Sequence, residues 1–133
     1  MNGSPKAQAI KRALERWNTG DRTPPVDDIH PEIEIHALIA SAFKGEPYRG
    51  YDGAREWLSG LDDSFERWDI ELDEIRERGD VAVVLAAIHA RGRGSGLELD
   101  LPTALVVDFR DGKVIRIRIF QDRDEALAAG GLT

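Results

Sequence analysis

Cysteine is missing from this 133-residue chain, which excludes disulfides, thiolate nucleophiles and cysteine-held zinc. Long apolar runs are missing too: none approaches the roughly 18 residues of a membrane-spanning helix, so no membrane partner is expected. The stretch from Met1 to Lys11 has no extended apolar segment. No signal peptide is therefore expected, and a cytoplasmic setting is the reading that follows. Basic excess is absent as well. The formal net charge is -7, which disfavours a nucleic-acid backbone as partner and weakly opposes an anionic membrane surface.

Several chemical motifs are lacking. No GxxxxGK[ST] phosphate loop occurs, and the glycines and arginines of 91–96 are too short a stretch to replace one. Ser41, Ser59, Ser64 and Ser95 have no nucleophile-elbow context. The three histidines, His30, His36 and His89, show no metal-ligand spacing, and a metal site needs at least three converging ligands. Neither a metal nor a cofactor is expected. Repeats, low-complexity tracts and linkers are also absent, so residues 1–133 read as one domain.

What is present is an ordinary globular balance, 41% hydrophobic and 32% charged, which argues against disorder. Ser4-Pro5 has the form of a helix start, a capping hydroxyl before a proline. Ile10, Ala13, Leu14 and Trp17 give that helix one apolar stripe, and Gly20 can end it. Val26 to His30 reads as a short helical turn, and Glu32 to His36 as a half-buried strand. After a loop bearing Gly45, Pro47, Gly50 and Gly53, Asp52 is the expected cap of a second helix with the stripe Ala54, Trp57, Leu58, Leu61 and Phe65. From Trp68 onward alternation replaces helical spacing. Strands are predicted from Trp68, over Val81 to Ala90, over Leu97 to Phe109 and over Lys113 to Gln121. Turns fall at Arg78-Gly79-Asp80, Gly92 to Gly96 and Asp111-Gly112. Asp122 and Glu125 have capping-box spacing for a last helix ending at Gly130. The order indicates an α+β fold with an antiparallel sheet.

Alternation divides each strand into two faces. The face expected to pack on the helices and line a cavity holds Val81, Val83, Leu85, Ala87 and His89, then Leu99, Leu101, Thr103, Leu105 and Val107, then Ile115, Ile117 and Ile119. The other holds Ala82, Val84, Ala86, Ile88 and Ala90, with Ala104, Val106, Arg116, Arg118 and Phe120. The strand from Val81 is apolar on both sides, which calls for a second cover. A homodimer packed through that sheet face is expected, with partial cover by the last helix as the alternative. Arg116 and Arg118 read as cross-strand partners of Asp108.

The element order, "YRGYDGAREWL" leading into the second helix, "RDGKVIRIRIF" as the last hairpin and "DRDEALAAGGL" as the closing helix resemble the SnoaL-like group of the NTF2-like superfamily over almost the whole chain. The resemblance implies a cone, a curved antiparallel sheet wrapped on N-terminal helices around a pocket, usually dimeric. Fold alone does not give function. An epoxide hydrolase of this superfamily uses an Arg and two Asp at positions that fall here on Leu85, Ala87 and Ile119, none able to activate water. A ketosteroid isomerase needs oxyanion donors where this chain has Ala13 and Leu105, and a base at His36 or, one residue on, Ala37. A polyketide cyclase demands only one general base in an apolar pocket.

His36 and His89 are the candidate bases, because imidazole titrates near pH ~6.5. His89 could serve at the pocket rim or only meet solvent. Plain alternation, with Ile33 and Ile35 inward, turns His36 outward; the superfamily position turns it to the pocket. His30 reads as a loop residue. Trp17, Tyr48, Trp57, Leu85, Ala87, Thr103, Leu105, Ile117 and Ile119 are the expected pocket lining, a wall suited to a hydrophobic small molecule. The alternatives are an acid/base enzyme of polyketide-cyclase or isomerase type using His36 or His89, and a scaffold whose cone is filled by its own side chains.

Overall fold

The computed structural model describes residues 4–21, 23, 25–36 and 46–132. Helix α1 (Pro5–Asn18) starts as its sequence predicts: the Ser4 hydroxyl accepts the Ala7 N–H at 3.1 Å, with proline at the first position. Strand β1 (Ile29–His36) begins earlier than Glu32, so His30 lies in the strand rather than in a loop. A two-residue strand that alternation alone could not reveal, β2 (Tyr48–Arg49), precedes α2 (Gly50–Ser64). The cap position of α2 is Arg49, without a side-chain cap. Asp52, the expected cap, sits in the first turn and pairs with Arg55 at 2.7 Å. Phe65, expected on the helix, opens β3 (Phe65–Arg78). Then come β4 (Val81–Gly92), β5 (Glu98–Arg110), β6 (Lys113–Phe120) and α3 (Arg123–Ala129), whose Asp122 carboxylate accepts the N–H groups of Asp124 and Glu125.

The strands form one open sheet in the order β2-β1-β6-β5-β4-β3, antiparallel except where β1 runs parallel to β6. Two irregularities keep apolar groups on one face. In β3 the step from Leu72 to Ile75 breaks strict alternation, and a bulge between Leu72 and Glu74 restores Ile75 to the side of Ile70 and Leu72. A second shift, where Asp108 pairs with Arg116 but Phe109 with Val114, leaves Ile115 of β6 as the extra residue and brings Val114 and Ile117 into the same core. The β5–β6 turn has positive φ at Asp111 (54°) and Gly112 (79°), the left-handed pair a two-residue hairpin requires.

Directly opposed residues of paired strands share a face. Ala82 faces Val107, Val84 faces Leu105 and Ala86 faces Thr103. Ile119 and Ile117 continue the first two rows on β6, and Ile35 joins Ile117 from β1. These residues form the core beneath α1 and α2 with Ile10, Leu14, Ala54 and Trp57. Val83, Leu85, Ala104 and Val106 point the other way, where α3 lies on them through Ala126 and Leu127. β4 is therefore out of phase with the sequence reading: its even-numbered residues, not Val81, Val83, Leu85, Ala87 and His89, face the helices. β4 is apolar at both parities, so hydrophobicity could not phase it.

β3 is an edge strand, and the end of α1 protects it. The Trp17 indole N–H donates to the Trp68 carbonyl. The Asn18 amide bonds Ile70 twice, donating to its carbonyl at 2.8 Å and accepting its N–H at 2.9 Å. Asn18 thus occupies edge groups that would otherwise be open to another strand.

Two glycines of α2 should respond oppositely to alanine. A Cβ at Gly53 would lie 2.9 Å from the Tyr48 carbonyl carbon, backbone that cannot give way, whereas one at Gly60 meets nothing within 4 Å. Gly60→Ala is expected to stabilise by about 0.5–1 kcal/mol through helix propensity. Gly53→Ala should cost about 1–3 kcal/mol through overpacking. Urea unfolding of both variants checks the difference in sign.

Candidate functional site

The inner side of the curved sheet grades from a buried core to a half-buried end. At the deep end Val84, Ala86 and Val107 are buried. Toward the ends of β4 and β5 that meet the start of β3, the rows become half-buried: Ile70, Ile88 and Leu101 form one, and Leu105 with Ile119 flanks it. Trp57 on α2 and Tyr48 on β2 pack against the same core from the helix side and are also half-buried. This side is apolar because the inward positions of three adjacent strands are aliphatic, aromatic or small, apart from Thr103. That residue is 4% exposed, and its hydroxyl donates to the Phe120 carbonyl at 3.5 Å. None of these wall residues carries a carboxylate, an imidazole or an ammonium group.

Tyr48, Trp57, Thr103, Leu105, Ile117 and Ile119 take the concave side expected of them. Trp17 is buried between α1 and β3, its indole N–H spent on the Trp68 backbone. Leu85 and Ala87 lie on the outer face, a correction that follows from the phase of β4: Leu85 pairs with Ala104 in the core under α3, and Ala87 stands opposite Pro102. The positions one residue away, Ala86 and Ile88, bring no polar chemistry either. Ile70, Ile88 and Leu101 were missed as neighbours across one row. The charged residues Glu98, Asp100 and Asp108 mark the outward parity of β5, and an even number of turn residues then pairs odd positions of β5 with even positions of β4.

Both candidate bases lie on the outer face of the sheet. Ile33 and Ile35 are buried, at 1% and 2% exposure, so Glu34 and His36 project from the outer face. His36 Nε2 lies 3.2 Å from Glu34 Oε1. Ala37, the alternative position for a base, falls outside the described residues. His89 is directly opposite Asp100, again on the outer face. Its Nδ1 lies 2.6 Å from Asp100 Oδ1 and its Nε2 3.2 Å from Glu71 Oε2. Two acceptors on the two ring nitrogens favour the imidazolium, so Asp100 first and Glu71 second raise the His89 pKa above its ordinary value. This histidine clamps three strands together across the outside of the sheet.

A separate open groove of about 550 Å³ lies at the other end of the strands, where Asp80, Asp108 and Asp111 face Arg110 and Arg116. Its charges are engaged in part: Arg116 Nε donates to Asp108 at 2.8 Å, and Arg118 approaches the same carboxylate at 3.7 Å, the cross-strand pairing read from the sequence. Among the described residues no group of three or more His, Asp or Glu side chains is placed to hold a metal ion. No described helix is long and apolar enough to cross a membrane.

The sequence pattern of the SnoaL-like domain family matches residues 10–117. No curated protein matches the sequence. Among solved structures, an NTF2-like protein of unknown function from Burkholderia pseudomallei is similar, with a TM-score of 0.80 at 17% identity over 96% of this chain and 98% of that one. TerC, co-crystallized with polyporic acid, gives 0.78 at 22% identity over 96% and 98% of the two chains. SalBIII, an epoxide hydrolase/cyclase-like enzyme of pyran ring formation in salinomycin, gives 0.73 at 15% identity over 88% and 90%. At these identities the likeness establishes the α+β NTF2-like fold.

The His89 clamp has a pH signature. A histidine whose folded pKa is raised contributes stability that is fully present below the unfolded value of about 6.5, and that is lost as pH rises through the folded value. Unfolding midpoints of the wild type should therefore fall relative to His89→Gln on going from mildly acidic to alkaline buffer. Parallel profiles for the two proteins would show that the clamp contributes nothing.

Proposed function

The chain belongs to the SnoaL-like domain family, and on that premise we propose that its concave hollow binds a hydrophobic small molecule. The observation that carries this reading is the graded wall: a sealed aliphatic floor leading to a half-buried rim of Ile70, Ile88, Leu101, Leu105, Ile119 and Trp57. Binding sites for small molecules combine such a wall with few polar groups, and here the hydroxyls of Thr103, Tyr48 and Tyr51 are among the polar groups on that side. The co-crystallized polyporic acid of TerC is consistent with the same use of the fold.

Acid/base chemistry of the cyclase or isomerase type would need a proton acceptor within reach of a ligand in the hollow. His36 and His89 project from the opposite face and are paired with carboxylates. Binding without those two histidines as bases is therefore the better-supported reading.

A second copy of the chain on the outer sheet face belongs to the same proposal. α3 covers Val83, Leu85, Ala104 and Val106, but Ala87 and Phe120 stay half-buried beyond it. Arg118 Nε–H is buried without a hydrogen-bond partner among the described residues. Sedimentation equilibrium at micromolar concentration is expected to give twice the monomer mass, and a monomer would remove this part.

The uncharged fluorophore N-phenyl-1-naphthylamine serves as the ligand probe. Its affinity should stay constant from about pH 5.5 to about pH 8.5, because the named wall residues do not titrate in that range. Ile88→Asp, which puts a charge on the rim, should weaken it by about tenfold or more. His36→Ala and His89→Ala should leave it unchanged. No uptake by the folded wild type would overturn the proposal.

A further inference from the structure

We propose that the β4–β5 connection, residues 92–97, is a flap over the open rim of the hollow, latched to α2 by Arg93 and carrying Leu97 as the side chain that closes on a bound molecule. The inference rests on the small-molecule reading above.

Position comes first. The last concave row of the sheet is Trp68, Ala90 and Leu99, and Phe65 stands opposite Gly92 just beyond it. The Phe65 and Trp68 rings lie 4.6 Å apart at this corner. The connection therefore springs from the rim itself, where α2 ends and β3 begins. Leu97 lies just before β5, two residues ahead of Leu99, and is 62% exposed. Such a large apolar group, placed beside an apolar opening, gains cover when that opening is filled.

The tip is held together internally and stands free of the body. Gly92 N–H donates to the Leu97 carbonyl at 2.9 Å, Gly96 N–H to the Gly92 carbonyl at 3.1 Å, and Leu97 N–H to the Ser95 hydroxyl at 3.2 Å. Gly94 and Gly96 take φ of 87° and 69°, and a Cβ on either would meet nothing within 4 Å. A closed loop of this kind moves as a unit, with glycines absorbing the change in backbone angles.

Arg93 ties that unit down. Its backbone N–H donates to the Ser64 carbonyl at 3.1 Å, and its guanidinium to the carbonyls of Asp62 at 2.8 Å and Phe65 at 3.2 Å. Carbonyls at the end of a helix lack intrahelical partners and favour a cation. One side chain thus spans the rim from the hairpin to α2, the helix that bears Trp57. The two guanidinium bonds are exposed, so water can replace them when that part of the latch opens. Arg93 is a positioning residue, and Leu97 the contact that follows ligand entry.

Stopped-flow displacement of N-phenyl-1-naphthylamine from the full chain tests this. Arg93→Ala should speed dissociation by roughly fivefold or more, with less effect on association, as expected where a barrier to leaving has been removed. Arg93→Lys, which keeps the charge but not the planar fork, should fall between. Leu97→Ser, at an exposed position that leaves the core intact, should also speed dissociation. A mere cap on α2 would lower the unfolding midpoint in Arg93→Ala without moving the Leu97→Ser rate. Wild-type dissociation from both Arg93→Ala and Leu97→Ser, with the probe still bound, would overturn the flap alone. No binding by the wild type would overturn the small-molecule reading and the flap with it.

Discussion

The first half of β4 has no polar face. Ala82, Val83, Val84 and Ala86 all have 0% exposure, and consecutive residues of a strand point in opposite directions. A strand of this kind is stable only between two apolar layers, and the rest of the molecule follows from supplying both. α1 and α2 provide the inner layer through Ile10, Leu14, Ala54 and Trp57. α3, only seven residues long, provides the outer one, with Ala126 fully buried against the sheet. The two covers differ in extent. The outer one is compact and local, while the inner one seals the deep rows and leaves Ile88 and Leu101 half-buried. That half-buried end of the inner face is where the proposed ligand site lies.

Much of this was legible from the chain because local signals agreed with the global arrangement. Ser4-Pro5, Asp111-Gly112 and Asp122 each announce one conformation, and each adopts it. The α+β cone, its hairpin order and the inward positions Thr103, Leu105, Val107, Ile117 and Ile119 follow from such signals and from alternation, whereas the irregularity in β6 puts Val114 in the core in place of the expected Ile115. The phase of β4 did not, since Val81 to Ala90 is apolar at both parities, and this displaced Leu85, Ala87 and His89 from the expected wall. β2 escaped notice because two residues carry no period. The bulge after Leu72 was visible only as a three-residue gap between apolar groups, which is also how a helix is written. The apolar outer face calls for a second cover, and α3 supplies it over the centre of that face.

The sheet also separates two kinds of chemistry. Inward, aliphatic rows offer shape and dispersion, with Thr103 as their buried polar group. Outward, ionised groups are matched in pairs and triplets: Glu71 with His89 and Asp100, Arg91 with Glu66 and Glu98, Arg116 with Asp108. The polar side is engaged with itself, and exposed pairs of this sort contribute little individually. The lattice keeps a net charge of -7 from concentrating at one place, and it leaves the hollow free of fixed charge. On the proposed reading, an occupant of that face would be selected by size and greasiness rather than by ionic recognition.

The double bond between Asn18 and Ile70 carries a consequence for how the chain could misassemble. β3 is the longest strand, at 14 residues, and lies at the border of the sheet. An amide that mimics the next strand, set beside the Trp17 anchor, stops the ladder from growing. Any fluctuation that lifts the last turn of the first helix would bare that ladder while the β-structure stays intact. Strand-by-strand polymerisation would therefore begin from a nearly native molecule that has lost one helix, not from the unfolded chain.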